Sequence, residues 1–339
     1  MNLKELSRHL ELSQSTVSRA LNGYQDVSEE TRQRVRDAAK RFGYAPNANA
    51  HRLATGQSGA IGIVFPSGGE PLLDPLFTDF LSGLTDRAAR AEVDILVGAA
   101  IDDEEACYRR LARKKSVDAI VLSSPLVEDR RLAMLDKLGL PHVVHGRTGA
   151  PPAGAFLDID NEGAFRRATD LLLDLGHRRV GLVNGDLRQT FAVHRAAGWR
   201  QALAARGLAA PPSLEGSDVM TDEAGYRLTR GMLDGDAAPT AILCSSIFLA
   251  MGCCRAIRDR GLAIGADISV IAHDDGLNSV RPEAHHPALT TTYSSIRRAG
   301  SRVAELAMDV IAGKPVADCQ EVWPVDLIFR DSTRPPRGA

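Results

Sequence analysis

The chain has 339 residues, 44% of them apolar and 25% charged, a composition typical of soluble globular proteins and a length too great for one compact core. No apolar run approaches the roughly 18 residues needed to span a bilayer. The start, MNLKELSRHL, is charged and amphipathic and lacks the apolar centre of a secretion signal, which implies a cytoplasmic chain. A net charge of −2 conceals an asymmetry: residues 1–56 carry nine Lys/Arg against six Asp/Glu, so a head of +3 stands on a body of −5, as suits a polyanion-binding head. Five cysteines (Cys107, Cys244, Cys253, Cys254, Cys319) are odd in number and scattered without a C-x-x-C pair. They read as reduced, buried thiols, with no metal site and no cofactor implied.

The first 45 residues read as three short helices. Asn2 caps the first, with Glu5 three residues on as in a capping box, and Leu3, Leu6 and Leu10 share one face. After a break at Glu11-Leu12, Ser13 caps a second helix that runs to about Leu21, where Asn22-Gly23 stops it. Ser28 caps a third, with Glu29 and Glu30 in its first turn, Arg41 in its last, and Gly43 and Pro46 beyond. The Ala-rich stretch 47–56 is a linker too short to hold a helix alone in water.

From residue 59 short apolar strands alternate with amphipathic helices. Strands are expected at Ile61–Phe65, Ile95–Ala99, Ala119–Ser123, Val143–His145, Val180–Asn184, Ala241–Cys244 and Ile268–Ala272. Helices between them include Leu76–Arg90, Gly163–Leu175, Ala192–Arg206 and Ile247–Arg260. Continuous apolar strands imply parallel sheets covered on both faces, here two α/β subdomains with a cleft between them. No internal repeat is visible.

The segment Asn2–Leu21 has the layout of a helix-turn-helix. Its second helix would leave Gln14, Ser15 and Arg19 facing outward while Val17 and Leu21 face Leu6 and Leu10. Gln can pair bidentately with adenine and Arg with guanine. An ordinary helical bundle with one polar face fits the same pattern, and the residues alone leave both open.

The blocks LSQSTVSRALNG, VSEETRQRV and AKRFGYAPN, then HRLATGQS, GHRRVGLVNG, RAAGW, GADISVIAHDD and LTTTYSS, resemble the lactose-repressor (LacI) family of bacterial regulators in order and spacing across nearly the whole chain. The resemblance implies a small all-α helix-turn-helix headpiece and an α/β periplasmic-binding-protein-like core of two doubly wound parallel-sheet subdomains. It places the headpiece at 1–46, a hinge helix at 47–58 and the core at 59–339, with one subdomain about 59–160 and 293–320 and the other about 161–290 and 321–333. It implies base reading by Gln14, Ser15 and Arg19, positioning contacts from Thr16 and Ser18, a further contact from Asn22, and a minor-groove wedge at Leu53. Ala54 departs from the Lys or Arg that follows the wedge in many relatives.

In open α/β sheets, ligands sit beyond the carboxyl ends of the strands. Loops there supply Ser67, Phe77, His145, Arg147, Phe191, Arg195, Ser246, Asp274 and Ser294. By the resemblance, Phe77, Arg195 and Asp274 fall on effector-contacting positions, and Arg147, Phe191 and Ser246 complete the expected site. A carboxylate can accept two adjacent sugar hydroxyls, an Arg fork can donate to them, and Phe can lie flat on a ring. Two departures reshape the site: Ser246-Ile247 stands where relatives carry Asn-Asp, and Phe191 where small polar residues are frequent. The headpiece start with PHVVHGR is most similar to the branch that controls α-glucoside and related sugar uptake. A purine or other nucleobase suits the same Phe, Arg and Asp and stays open.

The reading is therefore a sequence-specific regulator, a repressor of a carbohydrate operon, whose affinity for a pseudo-palindromic operator is set by a small sugar. Its partners are duplex DNA, that effector and a second copy of itself, with no membrane. The tail RDSTRPPRGA has no heptad extension, which predicts a dimer. An enzyme would need a motif such as G-x-G-x-x-G, G-x-S-x-G or H-E-x-x-H, and the sequence has none of them. A transport binding protein would have no such head.

Overall fold

The computed structural model describes residues 1–21, 24, 26–44, 56–65, 74–100, 103–149 and 154–337. The expected positions Asn22, Leu53 and Ser67, and most of the hinge, lie outside them. The chain divides into two compact units, Met1–Gly59 and Ala60–Ala339.

In the first unit, α1 is Leu3–Leu10, α2 is Gln14–Leu21 and α3 is Glu29–Arg41. Each start is fixed by a side chain that occupies an otherwise unpaired backbone N–H. Asn2 and Glu5 form a reciprocal capping box, both bonds at 2.9 Å. Ser13 Oγ accepts from Thr16 N at 3.0 Å, and Ser28 Oγ from Thr31 N at 3.3 Å. Glu11, in the left-handed region at φ 55°, ends α1. Leu6, Leu10, Val17, Ala20, Val27, Val35 and Ala39 form the small core, with Leu3 and Leu21 packed at its edge.

The second unit builds two six-stranded sheets. In chain order the first receives β1 (Ala60–Phe65), α4 (Pro75–Ala89), β2 (Asp94–Ala99), α5 (Glu104–Lys114), β3 (Ala119–Ser123), α6 (Arg130–Lys137), β4 (His142–His145) and β5 (Ala155–Ile159). The chain then crosses to the second lobe for α7 (Asn161–Asp174), β6 (Val180–Asn184), α8 (Thr190–Ala205), β7 (Glu215–Ser217), α9 (Asp222–Asp234), β8 (Ala241–Cys244), α10 (Ile247–Asp259), β9 (Ser269–Asp274) and β10 (Thr290–Tyr293). It returns for α11 (Ile296–Ile311) and β11 (Gln320–Trp323), and crosses a third time to β12 (Asp326–Ile328). The orders are β2-β1-β3-β4-β5-β11 and β7-β6-β8-β9-β10-β12, the same arrangement twice. All pairings within them are parallel except β10 with β12. The subdomain bounds read from the sequence therefore need correction: 321–323 belongs to the first lobe because β11 pairs with β5, and Tyr293 to the second because it pairs with Asp274.

Alternation along the strands feeds two cores per lobe. Ile61, Ile63, Val121 and Val143 pack under α4 and α11, while Val64, Ile120, Leu122 and Val144 face the side of α5 and α6. In the second lobe Ile242, Cys244 and Val270 share a cluster with residues of α9 and α10, and Leu182, Leu243 and Ile271 one with α7 and α8. All five cysteines are free and buried. Among the described residues no helix is long and apolar enough to cross a membrane.

Strands β5, β7, β10, β11 and β12 were not among those expected from apolar runs. β10 reads Thr-Thr-Thr-Tyr, yet Thr290, Thr291 and Thr292 are buried. The carboxyl-terminal tail makes this possible: Ser332 Oγ accepts from Thr290 N at 2.8 Å, and Thr333 and Thr290 hydroxyls meet at 2.8 Å. His177 holds the same tail. Its Nε2 donates to the carbonyl of Arg334 at 2.9 Å, and its Nδ1 lies 2.9 Å from the Thr240 hydroxyl.

Two predictions follow from this packing. α4 and α11 touch backbone to backbone, since a Cβ at Gly300 would lie 2.1 Å from the Phe80 carbonyl oxygen. Gly300→Ala is expected to lower the unfolding free energy by about 1–3 kcal/mol in urea titrations; an unchanged midpoint would show that the helices can separate freely. The second concerns acid. Burial lowers the pKa of His177 below its usual 6.5, so the unfolded chain takes up this proton first and stability is lost as pH falls below about 6.5. His177→Gln should lose less unfolding free energy than wild type between pH 7 and 5, and an equal loss would place the sensitivity elsewhere.

Candidate functional site

On the headpiece, Gln14, Ser15 and Arg19 are exposed along α2, whereas Thr16 and Ser18 are half-buried. The helix start is a hydroxyl cluster, with Ser13 Oγ 2.7 Å from Ser15 Oγ and 2.8 Å from Thr16 Oγ1. Arg19 pairs with Asp26 and lies over the Tyr24 ring, 5.3 Å from its centroid. Both partners of that ion pair are about half exposed, and such surface pairs contribute roughly 0–1 kcal/mol. Arg19 can therefore be transferred to a base edge or a phosphate at little cost.

The core holds a cleft of about 690 Å³ between its lobes. Phe77, Phe80, His145 and Asp158 line it from the first lobe; Thr190, Phe191, Arg195 and Asp275 line it from the second, with Asn161 and Ser294 at the crossings. On one rim the lobes are joined backbone to backbone: Val127 N donates to Arg188 O at 2.9 Å and Thr190 N to Pro125 O at 3.1 Å.

Arg195 is the centre of this cleft. It is 5% exposed and sits between the Phe165 and Phe191 rings, 5.1 and 4.9 Å from their centroids. Its Nε donates to Asn161 Oδ1 at 2.7 Å, and its Nη1 to the carbonyl and hydroxyl of Ser245. Burial pushes its pKa down to about 10, opposed by Asp275 and Asp158, so it stays protonated near neutrality. For Asp275, burial works upward, but His273, Arg195 and His145 together hold the carboxyl below its ordinary range. His273 Nε2 stands 3.4 Å from it. His145 stacks on Phe80 at 4.6 Å, and burial pushes its pKa down to about 4, so the ring is neutral at pH 7. Among the polar groups lining the cleft are thus the Arg195 guanidinium, the Asp158 and Asp275 carboxylates and a neutral imidazole, beside aromatic rings: donors and acceptors for hydroxyl groups.

Of the expected site residues, Phe77, His145, Phe191, Arg195 and Ser294 come together in the cleft. Arg147 does not line it but backs it, through a 3.0 Å pair with Asp158. Two expected residues, Asp274 and Ser246, are not among the residues that line the cleft. Asp274 is the last residue of β9, and its carboxylate accepts from Gly276 N at 2.9 Å; its neighbour Asp275 lines the cleft. Ser246 is buried and caps α10, accepting from Leu249 N at 3.2 Å. Asp158 and Asn161 were not expected in the site. Asp158 lies one residue short of the end of β5, the kind of position such clefts draw on, and that strand was not recognised.

The model of the lacI family of bacterial regulatory proteins matches residues 2–47, and that of the periplasmic binding protein-like domain matches 169–333. The chain is 46% identical to the HTH-type transcriptional regulator AglR of Rhizobium meliloti, over 99% of this chain and 95% of that one. It is 32% identical to the HTH-type transcriptional regulator RafR of Escherichia coli, over 95% and 96%. Among solved structures, the lac repressor dimer bound to operator and an anti-inducer superposes with a TM-score of 0.79 at 25% identity, covering 98% of this chain and 99% of that one. With its helix-turn-helix head and two-lobed α/β core, the chain belongs to the LacI family of bacterial DNA-binding transcriptional regulators.

Proposed function

We propose that a homodimer of this chain represses genes for the uptake or breakdown of a carbohydrate, of the α-glucoside class, and leaves its operator when the sugar occupies the cleft. The observation that carries this reading is that Arg195, held in place by Asn161 and Ser245, lines the same aromatic-walled cavity as Asp275: a fixed donor and a charged acceptor, suited to a neutral ring bearing hydroxyls. The related CelR was solved as a cellobiose complex, which supports a sugar in this cleft. Residues 47–58 serve as the hinge in this proposal. In this reading Leu53 is the minor-groove wedge. Ligand that prefers one arrangement of the lobes shifts the spacing of the hinges, and by linkage operator and sugar change each other's affinity by the same factor. No turnover is part of this reading, in keeping with relatives that are regulators of transcription.

Two measurements test it. Adding maltose to wild-type protein on its operator should lower DNA affinity in fluorescence anisotropy. Asp275→Asn should lose that response and Asp274→Asn should keep it; a protein deaf to α-glucosides but responsive to a purine base would replace the sugar reading with the nucleobase one. On the DNA side, Arg19→Ala should weaken operator binding by about 1–3 kcal/mol and relax preference at one base pair per half-site. An unchanged preference would reduce Arg19 to a phosphate contact.

A further inference from the structure

Asn161 stands where the chain first passes between the lobes, directly after β5 and at the start of α7. It is 2% exposed and touches charged groups of both lobes. Its Oδ1 accepts from Arg195 Nε at 2.7 Å, and its Nδ2 donates to Asp158 Oδ1 at 3.1 Å. The other carboxylate oxygen of Asp158 pairs with Arg147 Nε at 3.0 Å. A guanidinium can only donate and a carboxylate only accept, so the amide has one satisfied orientation. With Nε held by Asn161 and Nη1 by Ser245, Nη2 is the guanidinium nitrogen left without a protein partner among the described residues, on a side chain that lines the cleft.

We propose that Asn161 is a positioning residue: it holds Arg195 of the second lobe in register with the Asp158–Arg147 pair of the first, and thereby sets the affinity of the cleft for a neutral hydroxylated ligand. The inference rests on the reading of the cleft as the effector site. The amide accepts at its oxygen and donates at its nitrogen, whereas Asp cannot donate when ionised and Leu does neither.

The test uses the full-length protein and maltose. Asn161→Asp sets a carboxylate oxygen against Asp158 Oδ1, and two carboxylates so placed share one proton. The bridge then re-forms only in acid. The charged groups around it are Asp158 and Arg147 from the first lobe, Arg195 and His194 from α8, Asp160 and Glu162 beside it, and Asp275 beyond β9. The substitution leaves all of them in place, so the variant is read as its ratio to wild type at each pH. By calorimetry, Asn161→Asp should bind maltose about tenfold or more weaker than wild type near pH 8 and recover most of the difference near pH 5.5; Asn161→Leu should be weakened about equally at both. Asp158→Asn combined with Asn161→Asp exchanges donor and acceptor across that bond and spares the one to Arg147, but it turns an amide N–H toward Ile159 N, which donates to Asp158 Oδ1 at 2.8 Å, so it is expected to recover part of the lost binding at both pH values. A ligand-free readout accompanies these: the Arg195 Nε–H signal in nitrogen-edited NMR exchanges slowly in wild type and in the double exchange, and is lost in Asn161→Leu. Asn161→Leu with both signal and affinity intact overturns the proposal, as does a double exchange no better than Asn161→Asp near pH 8. Should Asn161→Leu fail to fold, the comparison of Asn161→Asp with the double exchange carries the test. If wild type binds no α-glucoside while the Nε–H signals behave as stated, the effector reading fails and the positioning role stands.

Discussion

One buried cation organises the core. Removing a guanidinium from water costs several kcal/mol unless its charge and donors are met inside the protein. Arg195 meets that condition with an amide from the lobe crossing, the Ser245 carbonyl and hydroxyl, two aromatic faces and the nearby charges of Asp158 and Asp275. Of those partners only Asp158 belongs to the first lobe, and it is linked to Arg195 through the Asn161 amide, so the relative placement of the lobes bears on Arg195 by that bridge. A ligand that adds or displaces a contact at Arg195 changes the free energy of that placement. This is the differential interaction that any ligand-driven shift between states requires.

The topology explains why these groups converge. Each sheet repeats the order second, first, third, fourth, fifth, with a late strand at its edge, so each has its reversal point between corresponding strands. Loops beyond the carboxyl ends of parallel strands open there. The three crossings alternate the lobes along the chain and leave neither closed on itself: β11 comes from after the second lobe, and β12 from after the return. The sequence shows no matching repeat, because a shared strand order needs only similar patterns of burial, and these can be met by different apolar residues.

The headpiece was the most legible part, and for a local reason. Caps at Asn2, Ser13 and Ser28 and the apolar spacing of α1 act within a few residues, and the structure uses each of them. Strands rich in Val and Ile were legible too. Those that were missed rest on distant partners: the β10 threonines are buried because residues 332–333 reach them, which no local pattern can show. The placement of Asp274 outside the cleft lining is a matter of register. β9 runs two residues past Ala272, so Asp274 is still in the ladder opposite Tyr293, and the first carboxylate beyond it is Asp275. A shift of one residue at a strand end exchanges the face presented. Asn161 carries no such signal, because the sequence pattern places the helix start at Gly163, two residues beyond it.

Arginine serves two opposed purposes in this chain, and their surroundings decide which. Arg19 faces solvent with one carboxylate and one ring, in a setting where salt and water weaken the pair and exchange for another anion costs little. Arg195 is enclosed, with its donors assigned to fixed acceptors, and moving it would strand buried charge. A regulator needs both. In the proposed reading Arg19 gives up its resting partner at each association with DNA, while Arg195 keeps its geometry so that a small change in occupancy of the cleft is felt by the whole lobe. The same side chain chemistry yields a readily exchanged contact on the head and a held one in the core because the surrounding dielectric, more than the pairing itself, sets what it costs to let go.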